Sequence, residues 1–383
     1  MIKKNYIYCY LDQPSGRQQL NKVFPENKKL KNFIVKYFTT ENMNFSKKNI
    51  LDYYKETPKK DIPRNMLHIN NLSQFENFLK TISKKDLVFI RARTFTQNKG
   101  KDYDLKLFKK YKVNTIFFAY DPWFKCNFRK DFLLNICRFI WKLINSFRIN
   151  FFNNNYEPTY YLGSGEFEKK NFKKKNWKLT KYIDCPSMWI DFSKNIKRKY
   201  IVYIDENIYF SRDQYLFNRN YKKTSNPELF LSDLLKFFKI IEKKYNKKII
   251  ICCSNKYEYK KNIFGGRRII YGKTLELISE SKLVIGHRSD SLYQAIFSNT
   301  PVILLKHKTF SPKRNLLIRF RSITQFNKKS NYIEDYLKQK CKPDLSIDKP
   351  FYKKNLRNYF LTSNIKKENF SKFFFKEIDK IST

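Results

Sequence analysis

The chain has 383 residues, enough for two domains of ordinary size, each with its own core. Lys and Arg number 80 against 34 Asp and Glu, for a formal charge of +46. That charge favours anionic partners such as phosphorylated sugars, nucleotides or lipid headgroups, but Lys, Asn, Ile, Phe and Tyr crowd the whole chain, so no basic arm or stripe marks nucleic acid as the partner.

The N-terminal stretch "MIKKNYIYCYLDQPSGRQQ" has too short an apolar segment and no small-residue cleavage pattern, so a secretory leader is not expected. "YIYCYL" reads as the first strand, "DLVFIRART" at 86–94 as another, "DLKLFKKYK" as a helix and "VNTIFFAYD" at 113–121 as a strand. Residues 131–152, "DFLLNICRFIWKLINSFRINFF", form a basic amphipath that reads first as a core helix and second as a segment lying in anionic headgroups. "PTYYLGSGEF" and "KYIDCPSMWID" follow as strand-and-turn units, ending near a linker at "FSKNIKRK".

The second half is clearer. "YIVYID" at 200–205 reads as a buried strand and 226–246 as an amphipathic helix opened by Asn226 with Pro227 in its first turn; "KKIIICCS" at 247–254 is the next strand. "RRIIYG", "KLVIGH" and "PVILLK" continue the strands, with "KTLELISES" and "SDSLYQAIFSN" as the helices between them. Strands alternating with helices through short loops predict a parallel sheet covered on both faces. The tail from 350 looks helical. No run of about eighteen uncharged apolar residues occurs, which argues against a transmembrane helix. Seven cysteines without CxxC pairs read as reduced, mostly buried thiols of a cytosolic protein.

Only eight glycines occur, where ordinary usage of roughly 7% gives about 27. Six of the eight fall in four turns: Gly163 and Gly165, Gly265 and Gly266, Gly272, and Gly286. In an open α/β sheet, ligands bind outside the carboxyl ends of the strands, where such turns sit, so these glycines outline a candidate ligand cleft. Tight turns and helix caps explain each one equally well. Lys273 and Thr274 open one helix, and Ser289 and Ser291 open another. Two helix N-termini are therefore expected to hold one diphosphate without a metal. "FGGRRIIYGKT" is not a P-loop, because Arg267 stands where that motif needs glycine.

Taken together, residues 262–305 resemble bacterial surface-carbohydrate (capsule and O-antigen) biosynthesis proteins of the GT-B glycosyltransferase type, themselves distantly similar to bacterial sialyltransferase-like enzymes. The matching positions are Gly265, Gly266, Arg267, Lys273, Thr274, His287, Ser289, Ser291 and Pro301. The likeness extends more weakly upstream and covers residues 160–306 with useful specificity, while the first 150 residues fit by α/β character alone. Where the family often has a His-Pro pair, this chain has Ser254-Asn255, a departure that weakens the case for a CMP-sugar donor.

The resemblance implies two Rossmann-like lobes with the cleft between them: an N-terminal α/β acceptor-side domain at 1–195, a nucleotide-sugar-binding domain at 196–345, and a helical tail at 346–383 packing back on the first. It implies a glycosyltransferase that moves a sugar from a nucleotide-sugar donor to a surface-polysaccharide acceptor, lipid-linked, in the cytoplasm or at the inner membrane face. Gly265, Gly266, Arg267, Lys273, Thr274, Ser254, Ser289 and Ser291 are the donor-binding candidates. Asp205, then Glu206, are candidate bases for the acceptor hydroxyl, and Asp121 in "AYDPW" is a third. His287 is a candidate for contact with the phosphate or for protonating the leaving group, or it is a strand-end residue holding a loop carbonyl. No clustered Asp-x-Asp occurs in these turns, and His68 and His307 look too scattered for zinc, so neither a cofactor nor a catalytic metal is expected. The alternatives are a sugar-nucleotide epimerase on the same fold, a basic nucleic-acid-binding protein, and a non-catalytic scaffold.

Overall fold

The computed structural model describes residues 5–11, 33–54, 66–91, 102–118, 159–163, 181–182, 198–208, 224–254 and 258–359. The chain divides into two compact units, one containing Met1–Ile50 and Lys60–Trp189 and the other Ile190–Arg357.

The first unit carries strands β1 (Asn5–Leu11), β2 (Phe33–Thr39), β3 (Met66–His68), β4 (Leu87–Arg91), β5 (Thr115–Phe118), β6 (Tyr160–Gly163) and β7 (Lys181–Tyr182). Its helices are α1 (Glu41–Asn44), the first half of α2 (Lys47–Tyr54, whose residues from Leu51 fall in the second unit), α3 (Leu72–Thr81) and α4 (Asp102–Lys110). All neighbouring strands run parallel, in the order β3-β2-β1-β4-β5-β6-β7. Parallel strands need crossovers, and α3 and α4 supply them by burying Phe75, Leu79, Leu107 and Phe108 against Tyr8, Tyr10, Phe38, Val88 and Ile90. Each fully buried Phe contributes about 1.5–3 kcal/mol to the core. Tyr10, in the middle of this layer, stacks on Phe38 with ring centroids 5.0 Å apart and hydrogen-bonds Thr40 at 2.8 Å, so its hydroxyl stays satisfied.

The second unit carries β8 (Tyr200–Ile204), α5 (Pro227–Tyr245), β9 (Ile249–Cys253), β10 (Ile269–Tyr271), α6 (Thr274–Ser279), β11 (Ser281–Gly286), α7 (Gln294–Phe297), β12 (Val302–Lys306), α8 (Pro312–Phe326), β13 (Asn331–Tyr332), α9 (Ile333–Leu337) and α10 (Lys349–Tyr359). Its sheet is again parallel, in the order β10-β9-β8-β11-β12-β13. Counted within this unit, that order is 3-2-1-4-5-6, the arrangement of a Rossmann-like sheet. β8 is central and solid with apolar side chains: Ile201, Val202 and Tyr203 are fully buried.

The N-terminal cap of α5 read from sequence is present, and the structure adds its C-terminal one. Asn226 Oδ1 accepts from the Leu229 N–H at 2.9 Å with Pro227 at the first turn, and Asn246 closes α5 in the left-handed region at φ 47°. The helix expected over "SDSLYQAIFSN" is instead a 3-10 turn, Asp290–Tyr293, leading into α7. Gly286 explains the tightening: a Cβ there would stand 2.8 Å from Leu292 Cδ2, so the turn closes directly onto the strand end.

The tail expected at 346–383 divides, with residues up to Arg357 falling in the second unit and Asn358–Thr383 in the first. α10 belongs with the second unit: Tyr352 packs on Phe326 of α8 at 6.1 Å, and Asn355 Nδ2 donates to Thr324 O and Gln325 O. The tail beyond 359 and the amphipath at 131–152 lie outside the described residues. Among those described, no helix is long and apolar enough to cross a membrane. Cys9, Cys252 and Cys253 are buried free thiols, and Cys341 is a half-buried one.

Candidate functional site

In a 3-2-1-4-5-6 sheet the chain leaves strands 1 and 4 in opposite directions, and a crevice opens above their carboxyl ends. Here those strands are β8 and β11. The residues just beyond them are Asp205 and Glu206 on one side and His287, Arg288 and Ser289 on the other.

Glu206 crosses this gap. Its Oε1 accepts the backbone N–H groups of Arg288 and of Ser289, the latter at 2.5 Å, and its Oε2 accepts from Arg314 Nη2 at 2.8 Å. The pair is well buried, with 11% of the Glu206 side chain and 7% of Arg314 exposed. Two successive backbone donors and a guanidinium thus converge on one anion. Ser289 caps the 3-10 turn, its Oγ accepting from the Ser291 N–H at 3.2 Å. Arg321 of α8 braces the turn from outside by donating to the Arg288 carbonyl and, at 2.5 Å, to Asp290 Oδ1.

Asp205 lies one residue away and is also engaged. Its Oδ2 accepts from the Tyr259 hydroxyl at 2.8 Å and from Cys253 Sγ at 3.6 Å, and its Oδ1 from the Asn207 N–H at 3.0 Å. Burial and the Asp205 charge raise the Tyr259 phenol, so it stays a donor to this carboxylate.

His287 is fully buried, with Nδ1 2.7 Å from Leu305 O and Nε2 3.0 Å from the Tyr203 hydroxyl. Burial pushes its pKa down to about 4, so the ring is neutral at physiological pH. Both nitrogens are committed. Of the two readings open in the sequence, the structure takes the strand-end brace, because a ring with no exposed surface and no free nitrogen does not reach a phosphate.

Two other sequence expectations are corrected. Arg267 does not face an anionic ligand: its guanidinium makes a bidentate pair with Glu242, at 3.0 and 2.6 Å, donates to Phe264 O at 3.0 Å and lies over the Phe238 ring. It ties the "FGGRR" turn to α5. Gly265 and Gly266, at φ 63° and 74°, serve that turn's left-handed backbone. Nor do the two helix N-termini share a diphosphate. Lys273 and Thr274 follow β10 and Ser289 follows β11, and with β9 and β8 between them the two turns are three strand spacings apart, roughly 14 Å. Thr274 Oγ1 is within 3.3 Å of Cys252 Sγ, Lys273 is exposed, and Ser254 is exposed at the end of β9. Asp121, Gly165 and Asn255 lie outside the described residues.

Sequence reasoning missed the partners that α5, α8, α9 and the segment before β10 bring in: Asp233, Arg314, Glu334 and Tyr259. A buried acid in the apolar stripe of α5 was the one available signal, since Asp233 stands among Phe230, Leu234, Phe237, Phe238 and Ile241.

Fold and site together define an α/β protein with two parallel sheets and an anion-holding turn at the centre of the second. No protein-family model matches the chain, and no curated protein does. Among solved structures it is similar to the S. aureus MnaA–UDP co-structure, with a TM-score of 0.47 at 11% identity over 99% of this chain and 97% of that one. A variant of the wall teichoic acid polymerase TagF gives 0.45 at 11% identity over 99% and 89%. The UDP-GlcNAc 2-epimerase of Neisseria meningitidis bound to UDP-GlcNAc gives 0.42 at 11% over 98% and 100%. These are likenesses of overall fold.

Proposed function

We propose that the chain is an enzyme acting on nucleotide sugars, and specifically a glycosyltransferase that passes a sugar from its nucleotide to a surface-polysaccharide acceptor carried on a lipid. The observation that carries this reading is the cradle at the β8–β11 crevice, where the N–H groups of Arg288 and Ser289 and the Arg314 guanidinium converge on a single anion. Glu206 is the resident anion, and a phosphate of the donor displaces it. As the glycosidic bond breaks, negative charge develops on that phosphate, and fixed donors in a buried site stabilise it without a catalytic metal. Asp205, at the same crevice, takes the proton of the acceptor hydroxyl. The net charge of +46 and the basic amphipathic sequence at 131–152 support work at an anionic membrane face.

The pairing of Asp205 with Tyr259 also suits a second reading, sugar-nucleotide epimerisation, in which one group removes a proton and another returns it. Release of an epimerised nucleotide sugar in the absence of any acceptor selects that reading.

The test is a thermal-shift titration with CMP-, UDP- and GDP-sugars on the wild type, Ser289→Pro and Arg314→Gln. Ser289 has φ −57°, which proline shares, so this substitution keeps the backbone while removing the N–H and the Oγ that caps the 3-10 turn. One nucleotide class is expected to raise the wild-type Tm, with the shift shrinking in both variants. If no nucleotide stabilises the wild type, or RNA does so at moderate salt instead, the reading falls.

A further inference from the structure

His307 follows β12 and is fully buried. Its Nε2 lies 3.3 Å from Asp233 Oδ2 on α5 and 3.3 Å from Glu334 Oε1 on α9, and the three atoms all fall within 4.8 Å of one another. We propose that these three residues form a binding site for a divalent transition metal, Zn²⁺ by preference, which ties α5, the end of β12 and α9 together.

The distances carry the argument. A charge-assisted N–H···O bond measures about 2.7–2.9 Å, shorter than either contact here. A tetrahedral ion with bonds of about 2.0–2.1 Å instead sets its ligands about 3.3 Å apart. One N–H also cannot point at two carboxylates, whereas a cation between the three atoms satisfies all of them.

The ring orientation fits. Nδ1 lies 2.7 Å from Thr309 Oγ1 and accepts from the Thr309 N–H at 3.3 Å. A metal on Nε2 requires the proton on Nδ1, donated to Thr309 Oγ1 along the shorter contact, and so gives up the bond from the Thr309 N–H; the Nε2 lone pair then faces the carboxylates, and an outer hydrogen bond of this kind fixes the tautomer of a metal-bound histidine. The carboxylates are prepared in the same way. Glu334 Oε1 also accepts the Lys308 N–H at 3.0 Å, while Oε2 is buried with no hydrogen-bond partner among the described residues, which supplies a fourth ligand. Lys236 Nζ lies 3.6 Å from the other oxygen of Asp233, on the solvent side. The rings of Phe230 and Phe310 wall the imidazole at 5.3 and 5.8 Å, and an apolar shell of this kind controls solvent access to a bound metal. Asp233, a carboxylate in an otherwise apolar helix face, has no packing reason to be there.

The site shares no ligand with the donor cradle, and its test does not use activity. The full chain is stripped with a chelator, dialysed against Zn²⁺ and assayed for bound metal; Co²⁺ is then substituted and its visible spectrum recorded. About one equivalent per chain is expected, with the intense visible bands of a tetrahedral Co²⁺ site and a higher Tm. Glu334→Gln and Asp233→Asn, which keep side-chain volume, are expected to lose the equivalent, and His68→Ala to keep it. If no equivalent is retained, or if Glu334→Gln and Asp233→Asn leave it in place, the assignment is overturned and the cluster is a proton-bridged one.

Discussion

The carboxylate of Glu206 rests on the backbone N–H of Ser289, 2.5 Å away, and so joins two strand ends separated by 83 residues of sequence. Arg314 closes the other side of the same carboxylate at 2.8 Å. The pair is both a structural brace and the occupant of the proposed phosphate position.

Arg314→Ala removes the guanidinium that donates to the buried Glu206 carboxylate. The expected cost is about 3–5 kcal/mol, measured by urea denaturation. Glu206→Gln keeps the side-chain shape and removes the resident negative charge, so affinity for the nucleotide sugar is expected to rise. A lower affinity in Glu206→Gln, by calorimetry, would count against displacement.

His287 makes stability depend on pH. Its folded pKa of about 4 lies below the ordinary 6.5, so the unfolded chain binds the proton more tightly. The stabilisation is complete above about 6.5 and is lost as pH falls towards 4, amounting to about 3 kcal/mol across that window. Thermal denaturation over this range is expected to show the slope in the wild type and a flatter one in His287→Gln.

Arg267→Ala separates the two roles offered for this residue. Its bidentate pair with Glu242 leaves 11% of the arginine and 25% of the glutamate side chain exposed, so the substitution is expected to cost about 2–3 kcal/mol of stability. Nucleotide-sugar affinity is expected to stay unchanged at temperatures where the variant is folded.

The glycines divide by cause. A Cβ at Gly286 would meet Leu292 at 2.8 Å, so Gly286→Ala is expected to cost about 1–3 kcal/mol through overpacking. Gly266, at φ 74° with nothing within 4 Å, needs only a residue that tolerates the left-handed region. Gly266→Asn is therefore expected to be close to neutral by Tm.

The regular elements of the second unit were legible because their patterns are local. Asn226 with Pro227 announces the start of α5, and the buried runs at 200–204, 249–253 and 302–306 announce strands. α8 was not legible, since its buried positions include Arg314, Asn315, Ser322 and Gln325, which break the apolar rhythm. The same polar positions are what make the helix matter: Arg314 completes the anion cradle.

The sequence by itself determined the alternation of strands and helices, the turns at the rare glycines and the two acids that follow β8, because each depends on residues a few positions apart. Only the tertiary structure decided which turns are neighbours. The parallel order β10-β9-β8-β11 separates the Lys273 turn from the Ser289 turn and sets Glu206 against Ser289. It also joins His307 to Asp233 and Glu334, 74 residues upstream in one case and on a short helix downstream in the other. Strand order follows from which crossovers bury the most apolar surface over the whole unit, a property of the packed sheet that no single stretch of sequence contains.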